Sequence, residues 1–210
     1  MRLSWLKVNF YTIGILILTL GIALTIQSQL GTSPFDALLV GLYRTVGLTV
    51  GSWEIIVGAI MVLGNALAER KRPEYLALLT SLITGIGIDF WLFVLRDFVH
   101  PDILVWKVVW FTIGMIISAI GIATYLQANF APIPMDRSML VLRNKTGWSF
   151  AVSRTVVSVG LLIFAFIFNG PIGIGTLLIA TLSGPLINMC IPYADILEKN
   201  LTKQKECISG

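Results

Sequence analysis

Three long stretches of this chain carry no charged residue, and they limit what it can fold into more than any other feature. They cover residues 8–35, 108–135 and 155–194. About 20 apolar residues are enough for a helix to cross a bilayer, and each stretch is longer than that. Only 12% of all residues are charged, whereas soluble domains contain roughly a quarter. The sequence therefore predicts an all-α polytopic membrane protein.

The apolar runs predict about six transmembrane helices. These cover approximately residues 8–30, 52–68, 75–95, 105–128, 150–168 and 171–192. If the helices alternate in direction, most basic residues share one side, namely Arg2, Lys7, Arg70, Lys71, Arg72, Arg137, Arg143, Lys145, Lys199, Lys203 and Lys205. Basic residues are enriched on the cytoplasmic side of membrane proteins. We therefore expect both termini in the cytoplasm, including a tail over residues 193–210.

The chain also repeats itself, at a constant offset of 100 positions. The run YTIG at residues 11–14 returns as FTIG at 111–114, and GIA at 21–23 returns at 121–123. Further matched pairs are Gln27 and Gln127, Pro34 and Pro134, Asp36 and Asp136, and Gly47 and Gly147. Such self-similarity fixes an architecture before any other argument. We expect one membrane domain over residues 1–210, with repeats at approximately 8–95 and 105–192.

The two repeats are expected to lie in opposite orientations in the membrane. Each repeat holds three predicted helices. Because three is an odd number, the second repeat starts on the side of the membrane opposite to the start of the first. Basic residues agree with this, because the link over 31–51 has one and the link over 131–151 has three. Many secondary transporters are built from inverted repeats. The predicted fold is thus two inverted three-helix repeats, with Pro-broken segments after helices 1 and 4.

The first of these broken segments is the strongest local motif. Pro34 ends a helix and favours an extended conformation at Ser33. Thr32 or Ser33 can cap a helix that restarts at Pro34, and Asp36 then lies in its first turn, near the positive end of the helix dipole. Gly31 allows the chain to reverse. We therefore assign Gly31 and Pro34 to a helix break, and Asp36, Thr32 and Ser33 to a candidate substrate or ion site.

The second broken segment keeps Pro134 and Asp136, adds Pro132, and lacks the glycine and the hydroxyls. Broken helices at matching positions of two halves point to a central binding site. In one interpretation the breaks re-enter the membrane and present helix N-termini to a ligand. In the other, each is an interfacial helix that Asp36 or Asp136 merely caps. The sequence leaves both open.

Other polar residues lie inside the apolar runs. Asp89 in helix 3 corresponds to Asn188 in helix 6, and a carboxylate inside a membrane usually marks a pathway or a paired charge. The alternative is that Asp89 reaches the interface near the helix end. Gln27 and Gln127 match at the ends of helices 1 and 4, where an amide can bind a neighbouring helix or a substrate. All four belong to the candidate site.

Two further pairs of matched residues have expected positions. Glu54 and Arg154 occupy the same place in the two repeats with opposite charge, and they could pair across the axis between the repeats. Inverted repeats would put them at opposite faces, however, so we expect both at the interface. Gly14 and Gly21, with their copies at 114 and 121, lie on one helix face. Small residues let membrane helices approach closely, so we expect helices 1 and 4 to pack against each other there.

Enzymatic, metal and nucleic-acid functions are not expected. Residues 85–89 (GIGID) resemble the Gly-x-Gly-Asp of intramembrane aspartyl proteases, but they contain an extra residue, and Asn188 supplies no second carboxylate. The chain has one histidine, hence no cluster typical of a metal site. The net charge of +4 is explained by the residues that flank the helices. We expect no enzyme, no cofactor, no metal and no nucleic-acid partner.

The run LGTSPFD at 30–36, followed by GLTVG at 47–51, resembles the YczE/YyaS-type family of bacterial integral membrane proteins and, more remotely, YitT-type proteins. The likeness covers most of the chain. It implies a location in the bacterial inner membrane and defines no catalytic residues.

The function that we expect is that of a small secondary transporter or permease for an unidentified solute or ion, with the lipid bilayer as its surroundings. The alternative is a non-transporting accessory or structural membrane protein that supports a partner pathway. A homo-oligomer is compatible with so small a chain, and the sequence does not decide it.

Overall fold

A computed structural model describes residues 5–99, 101–128, 130 and 133–209. Within these ranges the regular secondary structure is helical, without a β-strand. The helices found there are α1 Trp5–Gln27, α2 Pro34–Val46, α3 Val50–Glu69, α4 Tyr75–Leu95, α5 Leu104–Leu126, α6 Pro134–Thr146, α7 Phe150–Ile167 and α8 Ile174–Ser209.

Five helices of the described chain are long and apolar enough to cross a membrane. These segments are Lys7–Gln27, Val50–Glu69, Tyr75–Leu95, Leu104–Leu126 and Ile174–Glu198. The apolar part of α7, Ala151–Ile167, is shorter. Many large apolar side chains on these helices are exposed in the isolated chain, as expected of surfaces that face lipid. The protein is therefore an all-helical, multi-pass membrane protein.

Two helices fall within the links that were expected to separate spans. Helices α2 and α6 have 13 residues each, a length of about 20 Å at the usual rise. A bilayer core is about 30 Å thick, so neither is long enough to cross it. Both begin at a proline, Pro34 or Pro134, whose fixed φ suits the first helical position. The described chain thus has eight helices: six lie near the predicted spans, and α2 and α6 lie in the links where the sequence predicted a helix break and restart.

The last helix also differs from its predicted bounds. It was expected to end near residue 192, before a separate tail. Helix α8 instead continues through Pro185 and Pro192 to Ser209. Residues 193–209 of the expected tail are a continuation of this helix, and residue 210 lies outside the described residues.

The repeat of the sequence is visible in how the helices pack. Helices α1, α2, α3 and α4 correspond in sequence to α5, α6, α7 and α8. Helix α1 packs on α5, its own copy. Contacts of α1 with α4 match those of α5 with α8, and contacts of α2 with α7 match those of α3 with α6. Each short helix therefore packs against a long helix of the other repeat as well as against one of its own.

Helices α1 and α5 approach each other closely and run antiparallel. Gly14 of α1 lies against Tyr125 of α5, and Gly21 lies against Ser118. Just beyond the end of α1, the Gln29 side chain accepts a hydrogen bond from Lys107 at 3.1 Å. Residues with higher numbers at the α1 side therefore contact residues with lower numbers on α5, as in an antiparallel pair. The predicted role of the glycines in close packing is confirmed, because a Cβ at Gly21 would overlap the backbone of α5.

We predict that Gly21→Ala destabilises the protein by about 1–3 kcal/mol, the usual cost of overpacking. Gly64→Ala in α3 is the matched control, because a Cβ there meets nothing within 4 Å. In a helix this control change favours the folded state by about 0.5–1 kcal/mol. Thermal unfolding in detergent compares the two variants with the wild type. Equal melting temperatures for both would contradict the close packing of α1 on α5.

Candidate functional site

The start of α2 shows how the first break is built. Ser33 caps the helix, since its Oγ accepts a hydrogen bond from the backbone N–H of Asp36 at 3.2 Å. The Ser33 hydroxyl donates to Asp36 Oδ2 at 2.5 Å, and the Thr32 hydroxyl donates to the same oxygen at 3.5 Å. Both Asp36 and Thr32 are buried. The predicted helix restart at Pro34 is confirmed, and its carboxylate lies inside the protein.

Gly31 makes the approach to this helix sterically feasible. Its φ is +112°, which few residues other than glycine adopt. A Cβ at this position would lie 2.7 Å from Thr176 Oγ1 in α8. The backbone of Leu30 also accepts a hydrogen bond from Gly175 N at 2.9 Å. The start of α8 therefore covers the break that precedes α2.

The start of α6 forms the matching part of the second repeat. Ile133 precedes the helix and provides no side-chain cap, as the missing hydroxyls suggested. The Asp136 carboxylate interacts electrostatically with the Arg154 guanidinium and lies beside the Tyr125 hydroxyl. That hydroxyl is buried and makes no well-formed hydrogen bond within the described chain. Pro132 lies outside the described residues.

A cavity of about 160 Å³ connects the N-terminal ends of α2 and α6. Asp36 and Glu54 line it from repeat 1, and Asp136 and Arg154 line it from repeat 2. Equivalent positions of the two repeats form much of its wall, such as Ile22 of α1 and Ile122 of α5. The corresponding helices α4 and α8 contribute Thr84 and Ser183. The cavity is thus a site between the repeats.

Glu54 is the most unusual residue of this cavity. It is only 1% exposed, and its Oε1 has no hydrogen-bond partner among the described residues. The charge of Asp36 repels it. An uncompensated buried carboxylate costs free energy, so its presence in the wall of a cavity suggests a function.

The positions of Glu54 and Arg154 differ from the interface that we expected for them. Gly51, in the first turn of α3, packs against Gly85, which is at the middle of α4. Helix α3 therefore begins deep in the bundle, and Glu54 one turn later is buried there. On α7, Arg154 faces the same cavity and donates a hydrogen bond to Ser183 Oγ at 3.1 Å.

Asp89 lies outside the cavity and caps α3. Its Oδ2 accepts a hydrogen bond from the Thr49 hydroxyl at 2.6 Å, and its Oδ1 accepts one from Gly51 N at 2.8 Å. A carboxylate at a helix N-terminus satisfies backbone donors that lack a partner within the helix. The structure thus gives Asp89 a stabilising contact between α3 and α4.

The remaining candidates are divided between the cavity wall and its surroundings. Ser33 and Pro34 line the cavity together with Asp36 and Asp136, whereas Thr32 lies behind Asp36. Residues that do not line it are Gln27, Gln127 and Asn188. The two glutamines are half-buried, and Asn188 is exposed. We did not predict a place in the site for Glu54, Arg154 or Tyr125, although the opposite charges at positions 54 and 154 were a visible signal.

Comparison with known proteins places the chain among bacterial membrane proteins. Residues 5–192 match a protein family described as a family of unknown function, DUF6198. The chain is 49% identical over 197 residues to "Uncharacterized protein YyaS" of Bacillus subtilis, covering 93% of this chain and 98% of that protein. It is 35% identical over 192 residues to "Uncharacterized membrane protein YczE" of the same organism, covering 90% and 87%.

A more distant relative comes from Haemophilus influenzae. This "Uncharacterized protein" is 25% identical over 197 residues, covering 89% of this chain and 88% of its own. No solved structure matches the chain.

We predict that Asp89→Ala destabilises the protein by about 1–3 kcal/mol, because two hydrogen bonds to the start of α3 are lost and the backbone N–H of buried Gly51 loses its acceptor. Asp102→Ala, at an exposed position, is the control and should unfold at the wild-type temperature. Thermal unfolding in detergent measures both. If Asp89→Ala were as stable as Asp102→Ala, the cap would contribute nothing.

Proposed function

The chain belongs to the YczE/YyaS-type family of bacterial membrane proteins, and from that premise we propose that it is a small secondary transporter or permease. Its substrate site is the cavity between the repeats. Asp36 and Glu54 of one repeat, with Asp136 and Arg154 of the other, bind the solute or ion. The chemistry involves no covalent step, so the protein is not an enzyme.

The observation that carries this proposal is the buried, unpartnered carboxylate of Glu54 in the wall of a central cavity. Ionisable residues inside a membrane domain are costly, and they typically mark ion or substrate pathways. A protein with a purely structural role would gain stability by replacing such a group with an apolar one. The retained carboxylate is therefore best explained by a ligand that compensates its charge.

The packing of the helices supports an inverted repeat. Helix α1 and its copy α5 are antiparallel, as two copies of one helix would be if the repeats had opposite orientations. The cavity is lined by the matched residues Leu18 and Ser118, which lie at the contact between the two helices. If α1 and α5 cross the bilayer, the site lies close to the midplane, as in many transporters with inverted repeats.

Two short helices direct their N-termini at this site. The first turns of α2 and α6 supply Asp36 and Asp136, and both residues line the cavity. Transporters with broken helices use such half-length elements to place ligand groups at the middle of the membrane. We therefore favour the re-entrant interpretation of the two breaks over the interfacial one.

We place the protein in the bacterial inner membrane with both termini in the cytoplasm. The support is the excess of basic residues at the ends of α3, α6 and α8, which would face the same side. A terminal fusion to a reporter that is active only in the cytoplasm tests this orientation.

We predict that a cysteine in the cavity reacts with a membrane-impermeant thiol reagent from both sides of the membrane. The variant carries Ser158→Cys in a background with Cys190→Ser and Cys207→Ser. Ser158 lines the cavity, and a transporter opens its site alternately to each side. Labelling is measured in right-side-out and inside-out vesicles.

Val159→Cys in the same background is the matched control. This neighbour on α7 is 49% exposed and does not line the cavity, so lipid should protect it from the reagent on both sides. Labelling of Ser158→Cys from neither side, or from one side only, would reject alternating access. The accessory role that the sequence left open would then be the better explanation.

A further inference from the structure

We propose that the central cavity binds a small organic cation with a single positive charge, such as an ammonium compound with a short apolar body. The charged group lies between Asp36 and Glu54, and the apolar body lies against the remaining walls. This inference rests on the proposed function, because it names the substrate class of the same site.

The first argument is the distribution of charge around the cavity. Asp136 and Arg154 attract each other, although they form no salt bridge among the described residues, so these two opposite charges partly offset each other. Among the described residues, neither Asp36 nor Glu54 forms a salt bridge. Three carboxyl groups line the cavity against one guanidinium, so the cavity becomes negative once Asp36 or Glu54 is ionised. A bound cation favours that ionisation, whereas an anion opposes it.

The second argument concerns hydrogen-bond donors. Asp36 Oδ2 already accepts from Ser33 and Thr32, whereas Glu54 Oε1 accepts from no described residue. An ionised carboxylate only accepts hydrogen bonds, so the missing partner is a donor or a positive charge. An ammonium group supplies both.

The third argument is the size and lining of the cavity. Its volume of about 160 Å³ resembles that of a buried cavity of about 150 Å³ known to hold benzene. Its walls include Phe35, Met115, Met135 and Met139, which offer apolar and polarizable surfaces. Side-chain oxygens also line the cavity, from Thr25, Ser33 and Thr84 among others. The large apolar surfaces are therefore what favours an organic cation over a metal ion, which would use oxygen ligands alone.

Aromatic rings add a further attraction for such a ligand. Phe35 precedes Asp36 in the same helical turn, and both line the cavity, as does Tyr125 from the opposite side. The face of an aromatic ring attracts ammonium groups, most strongly where water is excluded. This attraction is weaker for a neutral molecule of the same shape, so the site should distinguish ligands by charge.

The test uses choline and 3,3-dimethylbutan-1-ol, an uncharged molecule of nearly the same shape. Choline should raise the melting temperature of the purified wild-type protein by about 2–6 °C at saturation, and the alcohol should not. The slimmer cation n-butylammonium serves as a second probe. A shift from the alcohol equal to that from the cations, or no shift from either cation, would overturn the inference.

Three variants link the effect to the cavity. Glu54→Gln should weaken cation binding about tenfold or more, measured as Kd by calorimetry, while it leaves the protein folded because an unpaired charge is removed. Arg154→Gln should maintain or strengthen binding, since the cavity becomes more negative. Asp102→Asn, at an exposed position outside the cavity, should bind as the wild type does. Equal losses in Glu54→Gln and Arg154→Gln would show that the charge at residue 54 has no specific role and would reject the inference.

Failure of this inference differs from failure of the proposed function. Propionate, an organic anion of similar size, is tested beside the cations. If propionate alone stabilises the protein and Ser158→Cys is labelled from both sides, the transporter proposal stands and the cation proposal is rejected. An unlabelled Ser158→Cys would reject the transporter itself.

Discussion

The break before α2 can exist among apolar helices only because the other repeat covers its backbone. Unpaired N–H and C=O groups are not tolerated in contact with lipid, so an interrupted helix must be enclosed by protein. Here Gly175 N donates to the Leu30 carbonyl, and Gly31 fits against Thr176 because it lacks a side chain. Residues of α8 thereby make the break in repeat 1 stable, and repeat 1 depends on repeat 2 at this point.

This enclosed break determines how deep in the bundle α2 and the start of α3 lie. Helix α2 brings the chain back into the bundle, and α3 then starts beside Gly85, near the middle of α4. Asp89 satisfies the new N-terminus through Thr49 and Gly51. Glu54, one turn further along, therefore faces the cavity instead of the membrane surface. A buried charge thus follows from a turn that lies more than twenty residues earlier.

The sequence predicted the helical membrane fold, the repeat and the helix restarts at Pro34 and Pro134, because each rests on local chemistry or on direct comparison of the two halves. It did not predict the depth of Glu54. That depth depends on α2 and α6 being helices buried in the bundle, and the links that hold them contain too few apolar residues to be recognised as spans. The capping role of Asp89 was equally hidden, since its partners Thr49 and Gly51 lie about forty positions away and meet it only through the packing of α3 on α4.

The asymmetry of charge between the repeats gives the proposed site its selectivity for a cation. With an acid and a base in both repeats, the charged residues of the cavity would balance, and nothing would favour a cation over an anion. Repeat 2 has such a pair in Asp136 and Arg154, whereas repeat 1 has Asp36 and Glu54. The difference at one matched position, 54 and 154, leaves the negative charge uncompensated. The symmetric helices therefore supply the position of the site, and a single departure from symmetry supplies the charge of the ligand.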